Sequence, residues 1–275
     1  VQKVDLEHNS LTSDVYNNWM MNSKRIFGAI LIAFVFFVLP AMADTKPLEG
    51  QIEHSATLPP LPEGLQQGGK FDEQALPTLT PRNNWSPIPK WMAGTWQFKS
   101  ETVTYMRPIN DEKKYPKVPF VLRNEFQKSL GHQVDKSGQI WDYIKAPYSY
   151  TCKVDDGLIA YNRCTTVDVV AQDAESYVRK VAGDDSVVEP KTQQILLTQS
   201  KECINRYTTM GDDAFRIDAS TKIFDRQGNP TLLKISNMMG MRVKPFERVD
   251  EKDGENLKQL FADFLKASNR ADLVP

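Results

Sequence analysis

Ile88-Pro89-Lys90-Trp91-Met92-Ala93-Gly94-Thr95-Trp96-Gln97-Phe98 divides the chain into two unlike parts. From Thr95 onward apolar and polar residues alternate. Phe215, Ile217, Ala219 and Ile223 interleave with Arg216, Asp218, Ser220 and Lys222, and Val118, Phe120, Leu122 and Phe126 with Arg123, Glu125 and Gln127. A period of two sets one face of a strand against a core and the other toward water. Turn-forming residues at 111–114, 135–138, 155–157, 183–185, 211–213 and 225–230 cut this part into about eight strands. They fall near 95–107, 118–133, 139–153, 158–171, 174–182, 193–210, 214–225 and 231–246. Several are long enough to require bulges. Strands do not alternate with helices, which argues against a parallel sheet.

One helix closes the chain. Leu257, Leu260, Phe261, Phe264 and Leu265 form an apolar stripe at helical spacing, with Asp253 as expected N-cap and Arg270 in the last turn. Its polar side mixes Lys258, Asp263 and Lys266, so it is expected to pack on a sheet rather than lie on a membrane. Consecutive antiparallel strands joined by short loops suit an up-and-down barrel, and about eight strands can enclose one small ligand. The expected fold is therefore all-β with a C-terminal helix, an antiparallel up-and-down β-barrel of about eight strands spanning 91–275.

Upstream, Lys24 and Arg25 precede the apolar run from Ile26 to Leu39, which Pro40 ends and Ala41-Met42-Ala43 follows. This is the pattern of a signal peptide over 20–43, cleaved after Ala43, and it implies a periplasmic or secreted protein. The apolar run is too short for a stable membrane span once Pro40 is respected. Residues 1–19 read as an over-long N-terminal extension. Residues 44–90, rich in proline and including Thr57-Leu58-Pro59-Pro60-Leu61-Pro62, read as a disordered spacer, with His54 solvated within it. The formal charge of −1, from 34 basic and 35 acidic residues, gives no electrostatic footprint for nucleic acid.

Met92-Ala93-Gly94-Thr95-Trp96-Gln97 resembles the Gly-x-Trp motif that opens the barrel in the lipocalin and fatty-acid-binding-protein (calycin) superfamily. The resemblance implies that Gly94 turns the chain tightly into the first strand and that Trp96 plugs the closed end of a lipocalin-like barrel. It also implies an arginine near the end of the last strand stacked across that indole, with Arg242 in the right place and Lys244 the fallback. One departure is visible. The Thr-Asp-Tyr type motif of typical lipocalins is missing from its mid-chain loop, and Trp141-Asp142-Tyr143 comes too early and belongs to a strand.

Cys152, Cys164 and Cys203 lie in expected strands of an exported domain, so one disulfide is expected, linking Cys203 to either of the others. Cysteine spacing and the scarcity of histidine disfavour a metal site, and no cofactor is expected. Catalysis is not indicated. No Gly-x-Ser-x-Gly occurs, and His132, the sole histidine of 91–275, reads as a solvated loop residue. The paired aspartates at 155–156, 184–185 and 212–213 read as turn formers.

Two functions remain. The first is a carrier that buries a small apolar molecule, with Met238, Met239, Met241, Phe120 and Phe215 as candidate lining residues. The second is a non-enzymatic module of the cell envelope with a filled barrel and a protein partner.

Overall fold

The computed structural model describes residues 3–5, 52–80, 82–109, 117–153 and 157–275. The expected export signal over 20–43, its expected cleavage point, and nearly all of 1–19 lie outside the described residues. The strands are β1 (Lys3–Asp5), β2 (Arg82–Ile88), β3 (Gly94–Pro108), β4 (Phe120–Leu130), β5 (Gln133–Val134), β6 (Ile140–Ala146) and β7 (Tyr148–Lys153). They continue with β8 (Ile159–Gln172), β9 (Ser176–Glu189), β10 (Gln194–Thr209), β11 (Ala214–Phe224) and β12 (Pro230–Lys244). A two-strand ribbon, β13 (Glu251–Lys252) and β14 (Glu255–Asn256), leads into helix α1 (Leu257–Ala267).

Eight antiparallel strands form one sheet in the order β7-β8-β9-β10-β11-β12-β3-β4, with β1 parallel to β7 at its edge. The last long strand, β12, returns to pair with the first, β3. The sheet curls into a half-barrel. Lys128 of β4 acts electrostatically on the Cys164 thiol of β8, although a flat sheet would hold those strands about 29 Å apart. Closure is the point of difference from expectation: among the described residues β4 ends the sheet on one side and β1, beside β7, on the other, and β4 and β7 do not pair with each other.

Two strand boundaries also differ. The expected strand 139–153 is two strands, because Pro147 has no N–H to continue a ladder; β6 joins β2 and β5 in a separate three-stranded sheet. β9 runs through Gly183-Asp184-Asp185, which read as a turn. Gly183 is there for close approach, since a Cβ would stand 2.3 Å from the Arg163 carbonyl oxygen.

The small sheet divides its faces by alternation. Ile88 and Ile140 join Trp96, Phe98, Leu130, Tyr177, Tyr207 and Phe215 in the core at the base of the half-barrel. Trp85, Trp141 and Tyr143 face the other way and take Leu257, Phe261 and Leu265 of α1. The helix cap is Asn256, whose side chain accepts from Gln259 N–H at 2.9 Å; the expected cap, Asp253, instead turns the preceding ribbon. No helix among the described residues is long and apolar enough to cross a membrane.

The stretch read as a spacer has a place on the domain from residue 52 onward. It straps the convex face, with Leu58 N–H donating to Gly228 O, Leu61 N–H to Arg226 O and Phe71 N–H to Gln193 O. Leu65 and Phe71 bury themselves on Val188 and Ile195. The apolar residues between the prolines thus serve packing, and β2 belongs to the small sheet.

All three cysteines are free, so the expected disulfide is not formed. Cys152 faces Ala160, Cys164 faces Tyr148 and Gly183, and Cys203 faces Val181 and Thr221. Cys164 and Cys203 are separated by the whole of β9, about 9.6 Å across two strand spacings, beyond disulfide reach.

At the motif, Gly94 has φ +133°, and a Cβ there would stand 2.7 Å from Lys244 O. Trp96 is fully buried, donates its indole N–H to Met92 O at 2.9 Å, and lies under the Arg242 guanidinium at 4.4 Å. Arg242 also donates to the carbonyls of Trp91, Ala93 and Asp212.

Trp96→Ala is expected to cost about 3–5 kcal/mol in urea denaturation; an unchanged midpoint would remove the indole from its structural role. Thiol titration in denaturant without reductant is expected to return three thiols per chain, matching the three free cysteines; a single thiol would mean a disulfide.

Candidate functional site

Register decides which side chains share the concave face. From Tyr177, Tyr207 and Phe215 at the base, the same face carries Arg179, Val181 and Asp185 on β9, and Asn205, Cys203 and Lys201 on β10. It continues through Ile217, Thr221 and Ile223 on β11, and Met238, Ser236 and Lys234 on β12. Tyr150 and Cys152 of β7 reach it opposite Asn162 and Ala160 of β8. The base is filled. Beyond it lies a band of polar side chains that converge from several strands.

Lys201 is the centre of that band. Its ammonium lies 2.7 Å from Asp185 and donates to Asn162 Oδ1 at 3.4 Å. Burial opposes its charge, but Asp185 and Tyr150 outweigh burial and hold its pKa well above the ordinary lysine value. Lys201 in turn favours the Tyr150 phenolate, yet burial and Asp185 prevail and push that phenol up to about 12. Across the concavity Lys234 bonds Glu101 at 2.9 Å. Burial would raise the Glu101 pKa, but Lys234, Ser236 and the more distant Lys201 lower it. About a quarter of the Lys201 side chain is exposed, so this deep charge still meets solvent through the open side.

Two of the thiols are held neutral here. Burial raises Cys152 and takes Cys164 up to about 11, leaving both protonated at neutral pH. A protonated lysine, a neutral phenol at Tyr150 and neutral thiols at Cys152 and Cys164 suit holding a ligand better than attacking one.

A second cluster is sealed. Asp142 of β6 accepts from Gly131 N–H at 2.8 Å and from Arg179 of β9 at 2.6 Å, with His132 Nδ1 at 2.9 Å. His132 Nδ1 also accepts from Tyr143 N–H at 3.0 Å, and Lys252 stands 3.0 Å from Nε2, so both ring nitrogens are engaged. His132 is 3% exposed, so the solvated loop histidine expected from sequence is instead buried. Arg179 lies 5.1 Å from the Tyr177 ring centroid. Burial would raise the Asp142 pKa, but Arg179 and His132 hold it far below the ordinary carboxylate range. This network pins the small sheet to the half-barrel.

Of the expected lining residues, Met238 and Phe120 share faces with concave residues, opposite Ile217 and Val103. Met239 and Met241 are the alternate residues of β12; they point to the convex side, 41% and 52% exposed. Phe215 is core, its ring 4.3 Å from that of Trp96 and 5.6 Å from that of Tyr207. Sequence reasoning missed Lys201, Asp185, Asn162, Tyr150, Glu101 and Lys234. One signal was available: Lys201 alternates in register with Cys203, Asn205 and Tyr207.

No group of three or more His, Cys, Asp or Glu among the described residues is arranged to hold a metal ion. Compared with known proteins, the chain matches no family model, no curated protein and no solved structure.

Asp142→Asn leaves Arg179 without its counter-charge and is expected to cost about 3–5 kcal/mol at neutral pH. Because the folded Asp142 pKa lies below its unfolded value of about 3.9, its contribution is complete above about pH 5 and fades on acidification. The stability gap between the two proteins, followed by urea midpoints, is therefore expected to narrow from pH 5 downward. A gap independent of pH would separate the carboxylate charge from the effect.

Proposed function

We propose that this chain is an exported, lipocalin-like carrier, not an enzyme at its concave face, that holds a small, largely apolar molecule bearing one polar group. The observation that supports this most is the partly solvent-accessible cluster around Lys201, built from Tyr150, Asn162, Asp185 and Lys201 on four successive strands. Charges set deep on the concave side of a sheet cost desolvation and add little to folding, which fits a role in orienting a ligand. Ile217, Ile223, Met238 and Leu122 supply apolar surface beside them. The arrangement of Gly94, Trp96 and Arg242 is the one the calycin resemblance calls for. The export signal over 20–43 supports the compartment.

One observation favours the other reading, an envelope interaction module with a protein partner. Met239, Met241 and Val243 form an exposed apolar row on the convex side of β12, while Trp96, Phe98 and Phe215 fill the base.

Anilinonaphthalene sulfonate, an aromatic body with one anionic group, separates the two. The carrier reading expects saturable fluorescence enhancement at one site, weakened about tenfold by Lys201→Met through loss of one charge-assisted contact. Absence of saturable binding would abandon the carrier in favour of the filled module.

A further inference from the structure

The strap brings His54 onto the convex face of β10 and β11, where three side chains line up. His54 Nε2 lies 2.8 Å from Ser220 Oγ, and its Nδ1 lies 3.0 Å from Glu202 Oε1. The carboxylate holds the imidazole proton on Nδ1, which leaves Nε2 to accept from the serine hydroxyl. We propose that Ser220, His54 and Glu202 form a serine–histidine–glutamate triad that hydrolyses small carboxylic esters.

Each member is held for its part. Glu202 is 2% exposed and also accepts from Ser55 N–H at 2.8 Å and Ser55 Oγ at 2.7 Å, with Lys180 Nζ at 3.0 Å. Burial alone would raise its pKa, but the bonds from His54, Ser55 and Lys180 bring it down to about 2, so it is ionised at neutral pH. Ser220 is fixed in the ladder, opposite Ile204 on one side and Ile235 on the other. Lys180 reaches Ser55 Oγ at 3.4 Å and Lys222 reaches Ser55 O at 2.8 Å. Both ammonium groups thus gather on Ser55, which itself bonds Glu202. Ser220 is 6% exposed and the His54 side chain 13%, so small activated esters are the substrates to test.

The chemistry balances with water as the only co-reactant. Ser220 Oγ adds to the ester carbonyl carbon as its proton passes to His54 Nε2. Collapse of the tetrahedral adduct breaks the bond to the alcohol, which leaves with that proton. Water, giving its proton to His54, then splits the acyl-serine, and the acid is released as the Ser220 hydroxyl is restored.

The test uses the full chain with p-nitrophenyl acetate and a fluorophosphonate probe. A nitrophenolate burst stoichiometric with protein is expected, with the phosphonyl adduct mapped by mass to Ser220. Ser220→Ala is expected to abolish both while keeping the native melting curve, and His54→Gln to slow hydrolysis at least about 100-fold. A second readout is independent of acyl chemistry: alkylation of the S220C thiol by iodoacetamide is expected to be faster with His54 present than with His54→Gln added. Hydrolysis unaffected by Ser220→Ala, no adduct on Ser220, or alkylation of S220C indifferent to His54 would each overturn the proposal. The triad lies on the opposite face from Lys201, so its failure leaves the carrier reading untouched, and the reverse.

Discussion

A guanidinium laid over an indole closes the base of this molecule. Arg242, on the returning strand β12, covers Trp96 on β3, and its donors are taken by the carbonyls of Trp91, Ala93 and Asp212. A cation so enclosed is tolerable only because those oxygens satisfy it. The contact also sets what Gly94 must be, since Arg242 Nη1 and Lys244 O stand where a Cβ would go. With β12 joined to β3 in this way, Phe98, Phe215, Tyr177 and Tyr207 are brought into one filled layer. Only the other end of the half-barrel is left for anything polar.

Strand alternation then distributes the chemistry. Lys201 and Glu202 are consecutive in β10, yet one belongs to the concave polar band and the other to the convex contact with His54. On β6, Asp142 and Tyr143 divide in the same way: Asp142 bonds Arg179 inside the half-barrel, and Tyr143 packs with Trp85 and α1 outside it. A slip of one residue in either strand would exchange these roles wholesale. The registers of β9, β10 and β11 are therefore as important to function as any single side chain. Buried ion pairs that lose energy when broken help to hold them.

Much of the fold was legible in the residues. Six of the eight expected strands, near 95–107, 118–133, 158–171, 193–210, 214–225 and 231–246, lie close to where the period of two and the turn residues put them. α1 follows from the stripe Leu257, Phe261 and Leu265, and Arg242 lies over Trp96 beside Gly94. What misled was local chemistry with two meanings. Gly183-Asp184-Asp185 has the composition of a turn but continues β9, because its glycine admits the neighbouring strand and its aspartates pair with Arg163 and Lys201. The proline-rich stretch before β2 looked like a spacer, although Leu65 and Phe71 anchor it to the convex face.

The sequence by itself determined the elements: strand or helix, their approximate limits, and which residues of each lie on a common face. Those follow from backbone periodicity and turn preferences, which act over a few residues. Tertiary structure alone decided that the half-barrel stays unpaired between β4 and β7, that Cys152, Cys164 and Cys203 do not meet, and that Lys201 faces Asp185 and Asn162. It also set His54 against Glu202 and Ser220, residues 148 and 166 positions away. Such meetings depend on strand register, sheet curl and the path of the strap, which are set by the packing of the whole chain and leave no local pattern to read.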